Sequence, residues 1–374
     1  MNITRRHLLA SISGIVATAH PGLSAWASDP DFDTGQFATA RAPNGSFQVV
    51  RVQDGVLRKV VALPDRGHGL VRRPNGTDLV VLARRPGDWG LVLDRRSGEP
   101  IARLSAPDGH HFYGHATFSA DGRYLFTTEN AFGTMNVDEE TGRLGLWDAA
   151  EGYARIGTLR TSGVGPHDVA RDRKGRGFWV ANGGILTHPD TGRAKLNVAD
   201  MKPSVCLIDG VSGAVAAEIR LPVSLHQLSL RHIDSSATGQ VVFAAQDEGA
   251  SEVPVPLVGL IDGPDSFRLF DLPEELFGRS QGYCGDVSFN RDGTIVGAGF
   301  PRGGFFAFWD VQTGQFLRSV DVSDGCGVSN THVSPGFVVS SGSGTLGSVE
   351  MQDPNGLRWQ VLLQSEASFD NHMA

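Results

Sequence analysis

Apolar and polar positions in this chain alternate in short runs, each opened by a turn. Seven times a turn glycine leads into a β-rich run: Gly35-Gln36-Phe37, Gly76-Thr77-Asp78-Leu79-Val80, Gly122-Arg123-Tyr124-Leu125-Phe126, Gly175-Arg176-Gly177-Phe178-Trp179, Gly239-Gln240-Val241-Val242-Phe243, Gly293-Thr294-Ile295-Val296 and Gly336-Phe337-Val338-Val339. Successive copies lie 41 to 64 residues apart. Asn75, Asp121 and Asp292 precede three of the glycines, giving the Asn-Gly and Asp-Gly pairs that suit tight hairpin turns. A second pattern follows, an apolar strand ending in an acid with a glycine four residues on: Leu93-Asp94 with Gly98, Trp147-Asp148 with Gly152, Ile208-Asp209 with Gly213, Trp309-Asp310 with Gly314. An outer strand such as Ile101-Ala102-Arg103-Leu104 comes next.

Repeats of this length with several strands each predict an all-β, seven-bladed β-propeller of the WD or YVTN type. One blade cannot bury both of its faces, whereas a closed ring buries each against a neighbour. Six copies have an inner strand before their turn glycine. The first copy has only an acidic linker before it, and the segment Phe369-Asp370-Asn371-His372 is left over at the other end. The expectation is therefore one blade made of N-terminal strands and closed by the C-terminal strand.

Composition agrees and narrows the class. Forty-eight Gly and 19 Pro among 374 residues are spread along the chain rather than blocked, as many turns require. The 40% apolar content excludes a disordered chain, and 3 Cys cannot staple one this long. Cys206 reads as core; Cys284 and Cys326, near the starts of adjacent inner strands, could pair in an oxidising compartment.

Residues 1–27 read as a leader rather than structure. Thr4-Arg5-Arg6-His7-Leu8-Leu9 opens a mostly apolar run to Ala19, and Ala25-Trp26-Ala27 is a small-x-small cleavage site. This is the pattern of a twin-arginine signal peptide, which implies export to the periplasm, with 28–374 as a single propeller domain. The run is too short to span a bilayer, so no membrane insertion is expected. Removing Arg5 and Arg6 with the leader takes the net charge from −8 to −10. An acidic surface disfavours nucleic acid as a partner.

Aligning the inner strands puts His68, His115, His167, His226, His332 and His372 at one position, with Gly285 as the gap. Inner strands line the channel of a propeller, so these imidazoles would converge on its axis. Imidazole is a common ligand of iron, copper, nickel and zinc. The arrangement resembles the histidine-lined axis of the nitrous-oxide reductase propeller, which holds a copper cluster. The competing reading is the structural Gly-His of WD-type blades, but that His lies well upstream of the Phe-Ser-x-Asp-Gly turn, whereas His115 is three residues before Phe118. The loops between second and third strands open on the same face. They carry Arg84, Glu129, Asn130, Asn182, Asp247 and Arg302, and a long loop bearing His188 reads as a rim over the mouth; these are the candidate ligand-binding residues. No phosphate loop, Gly-x-Ser-x-Gly elbow or His-Glu-x-x-His is present.

Longer strings match a known family. Gly114-His115, Phe118-Ser119-Ala120-Asp121-Gly122, Thr127-Thr128-Glu129-Asn130, Gly165-Pro166-His167-Asp168, Val180-Ala181-Asn182-Gly183-Gly184-Ile185, Thr187-His188-Pro189-Asp190 and Asp370-Asn371-His372 resemble the exported bacterial propellers of unknown function grouped as DUF1513. The resemblance covers nearly the whole mature chain. It implies periplasmic iron handling, because such proteins are typically encoded beside imelysin-like peptidases and di-haem oxidoreductase-like proteins in clusters resembling iron-acquisition systems. It supplies no reaction.

The expectation is a monomeric periplasmic propeller that binds a metal ion (iron or copper), haem or an iron chelate at a His-lined channel mouth. Its partners would be other periplasmic iron-uptake proteins. Two alternatives stay open: a metal-dependent hydrolase or oxidoreductase with Glu129, Asp168 or Asp247 as base, and a protein-binding scaffold that uses its rim loops.

Overall fold

The computed structural model describes residues 35–134, 140–192, 194–249, 255–263, 266–331, 336–352 and 356–374. The leader read at 1–27 and His332 lie outside the described residues. The described strands, β1 to β28 in chain order, form seven four-stranded antiparallel sheets. Six are consecutive: β4–β7 (67–105), β8–β11 (110–160), β12–β15 (166–220), β16–β19 (228–270), β20–β23 (286–321) and β24–β27 (325–364). The seventh has the order β28-β1-β2-β3, with β28 (Ser368–Met373) paired antiparallel to β1 (Gln36–Arg41), followed by β2 (Phe47–Gln53) and β3 (Val56–Ala62). This is the expected closure, which we count as blade 1. The inner strands β28, β4, β8, β12, β16, β20 and β24 each contact the next, and β24 returns to β28, so the ring is complete.

The repeated sequence signals have a local cause. In the third-to-fourth strand hairpins the acid accepts backbone N–H bonds from the turn it precedes: Asp94 Oδ1 from Ser97 (2.9 Å), Asp209 Oδ1 from Ser212 (2.7 Å), Asp310 Oδ1 from Thr313 (2.7 Å). The glycine four residues on has φ of 76°, 68° and 74° in these three turns, a region that disfavours any Cβ. The blades bury their apolar faces against each other. One such core joins Leu207 of blade 4, Phe243 and Phe270 of blade 5, and Phe305 and Trp309 of blade 6. A short helix, α1 (Glu274–Ser280), connects blades 5 and 6. Among the described residues, no helix is long and apolar enough to cross a membrane.

Candidate metal centre

Five of the seven inner strands place a histidine at the axis, and each does so at a break in register with its neighbour. His68 lies between the pairs Gly67↔Ala83 and Leu70↔Val81, and His115 between Phe112↔Glu129 and Ala116↔Thr127. His167 lies between Pro166↔Asn182 and Asp168↔Ala181, and His232 between Leu230↔Ala245 and Ile233↔Phe243. His372 falls in the shifted stretch of β28. A bulge bends the strand and turns a side chain that regular pleating would aim elsewhere. The five rings meet: centroids are 4.8 Å apart for His68–His115, 4.7 Å for His68–His372, 5.2 Å for His115–His167, 4.6 Å for His167–His232 and 4.5 Å for His232–His372. All five are buried.

Glycine makes this density possible. Gly114 has φ of 108°, and a Cβ there would stand 2.7 Å from His68 Cδ2. At Gly285, the gap in the ring, a Cβ would meet Cys326 Sγ at 2.5 Å. Blade 6 therefore has no room for an imidazole at that position.

Carboxylates brace the rings from outside. His68 Nδ1 is 3.2 Å from Asp370 Oδ1, His115 Nδ1 3.4 Å from Asp168 Oδ1, and His372 Nδ1 3.3 Å from Asp286 Oδ1; Asp168 Oδ2 lies 3.7 Å from His232 Nδ1. A carboxylate on Nδ1 fixes the tautomer and leaves the Nε2 lone pair available. His115 Nε2, His372 Nε2, His167 Nδ1 and His232 Nδ1 are buried without a hydrogen-bond partner. Donor atoms group within 4.8 Å in three sets: His68, His115 and His372; His115, His167 and His232; and His232, Asp286 and His372. Burial pushes His68 down to about 3, and holds His115, His167 and His232 well below the ordinary imidazole range. These rings are neutral at neutral pH, the form that ligates metal. At His372 burial acts the same way, but the Asp286 carboxylate outweighs it and the ring is raised.

Not every expected residue arrives here. His226 does not: it caps a short 3-10 turn ahead of β16, its Nδ1 2.8 Å from Val223 O, and His232 takes its place on the inner strand. The inner strand of blade 7 is β24, Gly325–Asn330, and His332 lies outside the described residues. Cys206, Cys284 and Cys326 are free, buried thiols, and the Cys284–Cys326 pairing is not formed.

The rim residues divide in two. Glu129, Asn130 and Asn182 are fully buried on second strands rather than exposed on loops. Glu129 takes bonds from both Arg155 terminal nitrogens (2.7 and 2.9 Å) and from Thr127 (2.9 Å), with His110 Nδ1 3.1 Å away. It is saturated, which removes it as a ligand contact or a base. Asn130 ties His111 Nε2 to Thr187 O (both 3.1 Å), and Asn182 donates to Thr161 O at 3.0 Å. These anchor the long loop and its blade. Asp247 Oδ1 accepts from Gly249 N–H at 2.8 Å, and His188 Nδ1 accepts from Asp190 N–H at 3.2 Å. Arg302 donates to Gln281 O and lies over the Tyr283 ring at 4.8 Å. Only Arg84 reaches the histidines: with Arg85, Arg231, Tyr113, Tyr283 and Asn371 it lines a small cavity of about 20 Å³ on the strand-start side of His68, His167 and His232.

On the other side the channel widens to about 400 Å³, bounded by His115, His372, Asp168, Asp234, Asp286 and Arg171 among others. The histidines thus sit as a waist between a tight mouth and a roomy polar channel.

The family described as "Protein of unknown function (DUF1513)" matches residues 61–374. No functionally curated protein matches the sequence. Among solved structures the chain is similar to Kuenenia stuttgartiensis hydrazine synthase, at 14% identity and TM-score 0.59 over 90% of this chain and 99% of that one. It is also similar to the RRP9 WD40 repeats (14%, TM-score 0.60, 84% and 85%) and to the C-terminal WD40 domain of Sif2 (11%, TM-score 0.52, 89% and 83%). Likeness at this level establishes the shared propeller fold.

Proposed function

For a chain that belongs to the DUF1513 family, which has no assigned function, we propose a metal-binding role: the axial histidines hold a transition-metal ion. The observation that carries this is the set of four buried imidazole nitrogens without a hydrogen-bond partner, beside rings braced by Asp168, Asp286 and Asp370. A buried polar atom left unpaired costs roughly 1–3 kcal/mol, and a metal ion removes that cost for several atoms at once. Neutral imidazoles with no thiolate among them suit copper, iron, nickel or zinc. Ring centroids 4.5 to 5.2 Å apart leave space for an ion rather than a macrocycle, which favours an ion over haem. The wide channel offers a hydrated ion a polar approach.

The leader read in the sequence would deliver the protein to the periplasm, and the family resemblance points to iron acquisition there. Iron is accordingly the first ion to test and copper the second. Catalysis is a second reading, favoured by the position of Asp168: it touches His115 and His232 and borders the wide channel, where it could act as base on a metal-activated water.

The test is elemental analysis and an absorption spectrum of protein purified from the periplasm, then of the same protein stripped and reloaded with iron or copper. Wild type should retain a single ion through dialysis, and His115→Ala/His167→Ala should not, with an unchanged circular dichroism spectrum. A folded wild type that takes up neither ion would sink the reading.

A further inference from the structure

The mouth above the histidines is built from cations. Arg84 comes from blade 2, 3.5 Å from Asp370 Oδ1, and Arg85 follows it with no carboxylate partner among the described residues. Arg231 precedes His232 on the blade 5 inner strand. It is buried, donates to Glu248 Oε1 at 2.9 Å, and leaves its Nε without a partner. The two carboxylates nearby are each shared: Asp370 also pairs with Arg66, and Glu248 with Lys195. Cationic charge therefore exceeds anionic charge around a cavity that is largely closed off from water. The hydroxyl-bearing rings of Tyr113 and Tyr283 complete the lining.

Such a lining repels a bare cation and attracts an anion. The channel side differs in this respect, since there Asp168, Asp234 and Asp286 balance Arg72, Arg171 and Arg173. Guanidinium groups present forked donors that match carboxylate and phosphate oxygens. The size of the cavity restricts what can enter. At about 20 Å³ it has room for little more than one water-sized group, so it admits the head of an oxyanion and excludes a bulky chelate.

We infer that this mouth binds a single oxyanion head group, a carboxylate or a phosphate, between Arg84, Arg85 and Arg231, on the face of the histidine-held ion opposite the channel. This deepens the metal reading and rests on it for the ion beneath; the anion contacts themselves stand on the arginines. The ligand class is thus a metal with a small anionic co-ligand, or the carboxylate end of a larger molecule whose body stays outside the mouth.

The test uses the full mature chain, both stripped and loaded with Cu(II), titrated with acetate or with inorganic phosphate at constant ionic strength, with chloride as control. Ligand-field absorption follows the loaded protein, and calorimetry follows both forms. The expected result is a saturable response to one or both oxyanions but not to chloride, weakened at least tenfold in Arg85→Gln; Arg84→Gln is the second variant should Arg85→Gln melt early. A stronger acetate response identifies a carboxylate, and a stronger phosphate response a phosphate. If wild type binds copper but neither oxyanion produces a saturable change, the anion site is refuted while the metal reading stands. If neither copper nor iron binds but the stripped protein binds an oxyanion in an Arg85-dependent way, the metal reading fails and the anion site survives. Oxyanion binding indifferent to both arginine variants refutes this placement.

Discussion

Glu129 and His115 lie on adjacent strands of blade 3, and both are buried, yet their hydrogen bonding is opposite. Both oxygens of Glu129 are occupied, by Arg155, Thr127 and His110. Gly145 makes room for it, since a Cβ there would lie 1.9 Å from Glu129 Oε1. His115 has its Nδ1 beside Asp168 and its Nε2 facing no partner. The first arrangement is closed and explains itself as structure. The second is open, and its unmet bonding capacity points at something outside the chain. Burial of a polar group alone does not separate scaffold from site; whether its bonds are all made does.

The largest effect that tests this contrast falls on stability. Glu129→Ala should destabilise the fold by about 3 kcal/mol, because it strands a charged Arg155 inside blade 3, and it should leave metal uptake unchanged. Chemical denaturation with parallel metal analysis checks both halves; a variant that melts like wild type but loses metal would erase the distinction. The same carboxylate has a pH signature. Burial raises its pKa, but bonds from His110 and Arg155 outweigh that and hold it below its ordinary 4.5. A depressed carboxylate contributes stability that is present above the unfolded pKa and lost as pH falls through the folded one. Wild type should therefore lose stability on acidification below about pH 4.5 more steeply than Glu129→Gln does.

Next in size, Asp168→Asn should lower metal affinity by about 10- to 100-fold, as removal of an outer partner of a ligating imidazole does. The fold should persist, as judged by thermal melting; unchanged affinity would mean that the bracing is incidental. Smallest of all, His226→Ala should alter neither stability beyond about 0.5 kcal/mol nor metal content, and loss of metal would return His226 to the site.

The repeat was legible because turn chemistry is local. Asp94, Asp209 and Asp310 bond to turns three residues away, so their spacing in sequence is their geometry in space. The histidine register was legible for His68, His115, His167 and His372 and misread for His226. A finer rule would have corrected it: His68, His115 and His167 precede their turn glycines by seven or eight residues, and His232 precedes Gly239 by seven, whereas His226 precedes it by thirteen. Other features could not be read. The saturation of Glu129 depends on Arg155, 26 residues away on a different strand. The cationic mouth joins Arg84 and Arg85 of blade 2 to Arg231 of blade 5, a meeting that only ring closure produces. The bulges that aim the imidazoles leave no composition of their own.

Ring closure has one more consequence, for the order of assembly. β28 brings Asp370 and His372 to the axis while pairing with β1, and Ala374 exchanges backbone bonds of 2.7 and 2.9 Å with Phe37. Those two side chains therefore reach the other histidines only when the distant ends of the repeat have met. An ion bound by His372 favours the closed ring over one with this seam open, in proportion to its affinity. The bound ion would then act as a latch on the propeller, and its retention would report that the seam is shut.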